Sequence, residues 1–243
     1  MKKLLALLLC VLSLLVLTAC KGEKAPEGGP ASDSDEMPSV LDQMEYAVYQ
    51  NVFFNKQADD YLGKTRSVEG TLARVRDAFS QKTRYYVWGY MDATKCCDWQ
   101  WEFVPEDPES LPPSGSLVRL SGTMTRDEAA LDKIWFTDAA LELKTRYEPV
   151  ACDVDMTTMS ATLERVQLLN MQYKPDYFQG KTLRFYGRVF QLDSIQHPYY
   201  DNSWTQKLSG GTALPAIGTM VVVSGSWKDN AVQVTDVTPS SAY

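Results

Sequence analysis

Gly115-Ser116-Leu117-Val118-Arg119-Leu120-Ser121-Gly122-Thr123 and Gly218-Thr219-Met220-Val221-Val222-Val223-Ser224-Gly225-Ser226 share one pattern: a glycine and a hydroxyl residue, a short apolar run, then Ser-Gly and another hydroxyl. Upstream of each lies a second matched stretch. Tyr61-Leu62-Gly63-Lys64-Thr65 with Val68, Gly70 and Leu72 corresponds, at constant offset, to Phe178-Gln179-Gly180-Lys181-Thr182 with Phe185, Gly187 and Val189. The two matches keep the same order, so the chain reads as one unit written twice, the second copy shorter in its middle.

The local periodicities say what that unit is. Ser39 suits a helix N-cap with Asp42 at N3, and Leu41, Met44, Val48 and Val52 recur at helical spacing, which predicts an amphipathic helix before the first copy. Met159, Leu163 and Val166 repeat the stripe before the second, with Pro175 as its stop. The period then changes to two. Residues 65–75, 84–91, 97–104, 117–125 and 134–143 are rich in β-branched and aromatic side chains and separated by turn residues, predicting five strands. Asp107-Pro108-Glu109 predicts a single helical turn between the third and fourth. Glycines inside the first and fourth strands mark sharp bends. The expectation is therefore mainly β with flanking helices (α+β): two tandem OB-like five-stranded barrels, each preceded by an amphipathic helix. The boundaries fall as a leader over 1–19, a tether over 20–38, a first OB-like domain over 39–146, a connector over 147–156 and a second domain over 157–239. The order Gly63-Lys64, Val68, Gly70, Asp92-Ala93-Thr94, Cys96-Cys97, Glu102-Phe103, Gly115, Val118, Gly122 resembles OB-like extracytoplasmic domains of uncharacterised bacterial lipoproteins and YcgQ-type permease partners. That resemblance implies a fold and a location and supplies no catalytic residue.

The N-terminus gives an address. Lys2 and Lys3 precede an apolar run from Leu4 to Leu17, shorter than the about 20 residues of a spanning helix, which reads as a signal sequence. It ends in Leu17-Thr18-Ala19-Cys20, which resembles the lipobox of bacterial lipoproteins. The resemblance implies cleavage before Cys20, acylation of that sulfur (palmitate-type chains) and anchoring to the outer face of the cell membrane or to the outer membrane. Each buried CH₂ of an acyl chain contributes about 0.8 kcal/mol, so the anchor is durable. From Lys21 to Ser39 the chain is mostly Gly, Pro, Ser, Ala and acidic residues with almost nothing apolar, a tether with a typical reach of roughly 25 Å.

Charge narrows the partners. The chain has 243 residues, a formal charge of −7 and pI 4.8, and loss of Lys2 and Lys3 with the leader lowers the charge further. A body this acidic is expected to have no nucleic-acid partner and to meet the membrane through its lipid anchor. An envelope protein, a peptide or a glycan is the expected partner.

Candidate chemistry is sparse. Gly-Lys-Thr occurs twice, but Ala58 and Pro175 stand where a phosphate loop needs glycine, and each triplet leads into a predicted strand rather than a helix. It reads as a turn. Of five cysteines, Cys10 leaves with the leader and Cys20 is acylated, so Cys96, Cys97 and Cys152 remain. Alternation places Cys97 with Trp99, Trp101 and Phe103 on the core face and Cys96 on the other. One reading is a disulfide from this pair to Cys152, stapling the connector to the first barrel; the other is a thiophilic metal or thiol-redox site formed with Cys152 and His197, the chain's one histidine. No cofactor is implied. His197-Pro198-Tyr199-Tyr200 reads as a polar aromatic loop. Tyr86, Trp88 and Tyr90 share one strand face and, with Tyr199 and Tyr200, form a candidate ligand surface, the crowd of rings exceeding what one core face needs. With no hydrolase triad order or nucleophile elbow, the expected role is a lipid-anchored, non-catalytic binding or assembly module; the alternative is metal or thiol chemistry through Cys96 and Cys97.

Overall fold

Strand β1 (Thr65–Arg76) is long enough to serve two neighbours, and that property organises the first half of the chain. In the computed structural model, which describes residues 62–90, 95, 97–126, 134–198 and 204–241, β1 is followed by β2 (Thr83–Tyr90), β3 (Asp98–Pro105), β4 (Leu117–Arg126) and β5 (Ile134–Thr145). These lie within a residue or two of the five predicted strands. The first part of β1 pairs with β4 and its last part with β2, so the sheet curls on itself and closes in the order β1-β2-β3-β5-β4. Only the β3–β5 pairing is parallel.

The second half follows the same plan. After β6 (Val154–Asp155), a 3₁₀ turn (Met156–Thr158), α1 (Ala161–Tyr173) and α2 (Pro175–Phe178) come β7 (Thr182–Gln191), β8 (Ser194–Gln196), β9 (Thr205–Ser209), β10 (Met220–Lys228) and β11 (Ala231–Pro239). The second sheet runs β10-β11-β9-β8-β7-β6, and a further β10–β7 pairing joins its ends around β7 to β11. Here β9–β11 is the parallel contact of the ring. The registers coincide as well: Val68↔Leu120 and Gly70↔Val118 in the first sheet correspond to Phe185↔Val223 and Gly187↔Val221 in the second. Gly115 and Gly218 hold left-handed φ values of +93° and +89°, and their N–H groups donate to Leu72 O and Val189 O, both at 2.8 Å. The protein is thus mainly β, with two sheets and few helices.

The interior of the first ring is filled by Val68, Leu72, Val87, Trp99, Trp101, Phe103, Val118, Leu120, Met124 and Phe136. Gly70 permits this packing, because a Cβ there would stand 2.5 Å from Trp88 O. The opposite face of β1 and β2 is not solvated. Ala73, Val75, Tyr86 and Trp88 belong to the same buried cluster as Met156, Met159, Leu163, Leu168 and Met171 and the core of the second sheet.

Helix α1 is the joint between the two sheets. Ser160 caps it by accepting from Leu163 N and donates to Gln100 Oε1 on β3 at 2.8 Å. Asp98, also on β3, accepts from Thr162 N and Thr162 Oγ1, both at 2.9 Å, so a carboxylate from the first sheet satisfies an orphan N–H in the helix's first turn. Trp88 Nε1 donates to Thr158 O at 2.9 Å, and Gln167 Nε2 to Arg76 O at 3.1 Å. Clasped from two sides, α1 buries Glu164, Gln167 and Asn170 together with Leu163, Leu168 and Met171. Val166, predicted on the apolar stripe, is 45% exposed instead, because the face turned to the sheets is satisfied by polar contacts as well as by packing.

Two further expectations change. Residues 107–109 form a turn rather than a helical turn: Asp107 Oδ1 accepts from Glu109 N and Asp107 O from Ser110 Oγ. Cys97 precedes β3 and is exposed, so the alternation begins at Trp99 and does not carry the thiol inward. The helix predicted over 39–52, the leader, the tether and Cys20 lie outside the described residues. Among the described residues no helix is long and apolar enough to cross a membrane.

Candidate functional site

A cleft of about 410 Å³ opens where β1, the 147–155 connector, α1 and the turn before β7 meet. The end of β1 contributes Arg74 and Arg76, two apart and therefore on one strand face. Arg74 Nη2 donates to Leu111 O at 2.8 Å and Pro112 O at 3.1 Å, and its backbone N–H donates to Ser114 Oγ, which fixes the guanidinium at the rim. Its Nε is buried with no protein partner. The connector contributes Tyr147, Pro149, Val150 and Cys152 to Asp155, and Tyr177 and Lys181 complete the far side.

The connector is ordered by polar contacts. Asp153 accepts from Thr182 N at 2.8 Å and Thr182 Oγ1 at 2.7 Å; these bonds hold its carboxyl below the usual carboxylate range. Asp155 accepts from Thr157 N and pairs with Arg184 at 3.2 Å, and Arg184 also reaches Tyr147 Oη and Thr157 Oγ1. Both carboxylates in the cleft are thereby engaged. Arg74, Arg76 and Lys181 have no carboxylate within ion-pair distance among the described residues. Lys181 Nζ instead sits 3.2 Å from the centre of the Tyr177 ring. Burial first, then the Asp155 carboxylate, push the Cys152 thiol above its ordinary range, so it stays protonated at neutral pH.

The residues singled out by sequence scatter. Cys152 is a half-buried thiol in the cleft and Cys97 is exposed, and the two are not bridged; Cys96, the other candidate for the staple, lies outside the described residues, and among those described it is α1 that joins the two sheets. His197, one residue past β8, is fully buried rather than solvated. Its backbone N–H donates to Trp204 O, its Nε2 stands 3.9 Å from Glu164 Oε2, and burial, with a smaller contribution from Arg165, pushes its pKa down to about 4. Glu164 is fully buried as well and accepts from Tyr186 N at 2.6 Å. Cys97, Cys152 and His197 are not gathered: among the described residues no three Cys, His, Asp or Glu side chains are placed to hold a metal ion. Cys96, Tyr199 and Tyr200 lie outside the described residues.

Tyr86 and Trp88 are each 7% exposed, and Tyr90 packs edge-on to Trp88 with 5.5 Å between ring centres. They do not form an open ligand surface. The excess of aromatic rings on β2 is the first sheet's contribution to the shared core, a use that alternation within one strand cannot distinguish from a binding face. Sequence reasoning missed Arg74, Arg76, Tyr147, Tyr177 and Lys181. The one local signal was two arginines, two apart, at the end of a strand otherwise patterned for burial. No protein-family model matches the chain, and no curated protein matches it at a significant level.

Proposed function

We propose that the protein is a lipid-anchored binding or assembly module of the bacterial cell envelope, built from two OB-like barrels, whose ligand occupies the cleft between them. The OB-like reading draws support from the strand order shared by both rings, with a single parallel contact between the third and fifth strands of each. The anchor is inferred from the lipobox-like Leu17-Thr18-Ala19-Cys20. The observation that carries the binding role is the cleft itself, a cavity within the roughly 300–1,000 Å³ range of small-ligand sites, bounded by side chains whose positions are fixed by hydrogen bonds. Binding without bond-making is favoured because the cleft's thiol is held protonated and the chain's histidine lies buried elsewhere.

Two measurements on cells producing the full chain test the reading. An alkyne-bearing palmitate analogue should label the wild type, and Cys20→Ala should abolish both labelling and sedimentation with membranes; an unlabelled wild type refutes the anchor. A photo-crosslinking amino acid placed at Val150, in the cleft, should capture a partner or ligand that the same group at Leu143, outside it, does not. Equal or absent capture from both positions refutes the cleft as the functional site.

A further inference from the structure

We infer that the cleft selects an organic anion: a carboxylate or phosphate group seated among Arg74, Arg76 and Lys181, carried on a body with an apolar or aromatic face that packs on Tyr147, Tyr177 and Val150. The inference deepens the binding role proposed above and rests on it.

The cations stand out against the rest of the molecule. In a chain of formal charge −7, three cationic residues line one concavity, Arg76 among them with its Nη1 donating to Thr83 Oγ1 at 3.3 Å. Of the two carboxylates beside them, Asp155 is paired with Arg184, while Asp153, bonded to the neutral Thr182, keeps its charge and feels Lys181 from beyond ion-pair distance, so the cations outnumber the unpaired carboxylate three to one. Arg74 is not free to turn away, since two backbone carbonyls hold its Nη2. Lys181 is held over the Tyr177 ring, which positions the ammonium without neutralising it. The apolar part of the lining is Pro149, Val150, Val154, Met159 and the two tyrosine rings, so an inorganic anion would leave that part of the surface uncovered.

Three probes separate the components: phenylphosphonate carries anion and ring, inorganic phosphate the anion alone, and benzyl alcohol the ring alone. Each is added to the full chain at low salt, and the rate of iodoacetamide alkylation at Cys152 is read by peptide mass spectrometry, with Cys97 as the internal reference outside the cleft. Phenylphosphonate should protect Cys152 at the lowest concentration, phosphate less well and benzyl alcohol least. Arg76→Gln and Lys181→Gln should each raise the half-protecting phenylphosphonate concentration about tenfold, the worth of one charged hydrogen bond, while Lys207→Gln, on an exposed lysine outside the cleft, leaves it unchanged. Protection should weaken as salt is raised. Equal protection by benzyl alcohol and phenylphosphonate, or wild-type protection in both variants, overturns the anion inference and keeps the cleft as a binding site. If no probe protects Cys152, the cleft itself is overturned as a ligand site.

Discussion

Replacing Asp98 by alanine should loosen the joint between the two sheets more than its place on a partly exposed strand start suggests. The carboxylate accepts two hydrogen bonds at 2.9 Å, from Thr162 N and Thr162 Oγ1, at the N-terminal turn of α1. The first is an orphan N–H of the helix; the second holds the threonine that would otherwise turn to solvent. Loss of a helix cap costs about 0.5–2 kcal/mol, and hydrogen bonds to a charged acceptor lie at the upper end of hydrogen-bond contributions. Asp98 is half-buried, so water compensates part of the loss, and a destabilisation of about 1–2 kcal/mol is expected. Urea unfolding of the full chain, followed by tryptophan fluorescence, reads it directly. The wild type should lose the signals of both sheets in one transition, because Tyr86, Trp88 and Trp204 share a buried cluster. A double-mutant cycle with Thr162→Ala isolates the pair, with an expected coupling of about 0.5–1.5 kcal/mol. Strictly additive single and double variants, or a loss below about 0.5 kcal/mol, would refute the assignment of Asp98 as the clasp on α1.

Two other outcomes test the core. His197 has a folded pKa of about 4, below the ordinary histidine value of 6.5, so the folded state binds its proton later than the unfolded chain does. Its contribution to stability is complete above about pH 6.5 and is lost as pH falls through the window down to about pH 4, amounting to about 3 kcal/mol. Denaturant midpoints of wild type and His197→Gln measured across that window should converge toward acid, and parallel curves would count against it. Gly225→Ala would place a methyl group 2.5 Å from Gln233 O and 2.8 Å from Val232 Cγ1, forcing β10 and β11 apart. A loss of about 1–3 kcal/mol in thermal or urea unfolding is expected, against less than about 0.5 kcal/mol for Ser226→Ala beside it; a neutral Gly225→Ala would mean that the bend does not need a bare Cα.

The strands were legible because each carries its own signal. Alternation of Val68, Gly70 and Leu72, or of Trp99, Trp101 and Phe103, depends on neighbours two residues away and on one buried face, and the structure places all six within the first ring. The paired glycines were equally readable, because a left-handed φ at Gly115 and Gly218 and a near-contact at Gly70 are conditions on the backbone itself. What local patterning could not give was the second use of a face. Tyr86 and Trp88 alternate correctly with Val87, but whether their side faces water, a ligand or another sheet depends on residues about seventy positions further on. The same limit misplaced Val166, since helical spacing identifies a stripe and not which side a two-sided clasp will cover.

The cleft belongs wholly to that second category. Asp98 with Thr162, Gln100 with Ser160, and Arg76 with Gln167 join strands of the first sheet to a helix that leads the second, and each pair is separated by sixty or more residues. No window of sequence contains both partners. Yet these contacts decide where Arg74 and Arg76 end up relative to Lys181, which the sequence presents as one residue of a turn shared with Lys64. In the first copy the equivalent Lys64 lies outside the cleft lining, although the two turns have matching φ at Gly63 and Gly180. The two turns are alike in sequence and backbone, and only the asymmetry of the joint puts one of them in the cleft lining. Lys64→Gln is accordingly a more informative partner to Lys181→Gln than any distant lysine, because it repeats the same substitution in the same local backbone. If function depends on the joint, Lys181→Gln should weaken ligand protection and Lys64→Gln should leave it unchanged.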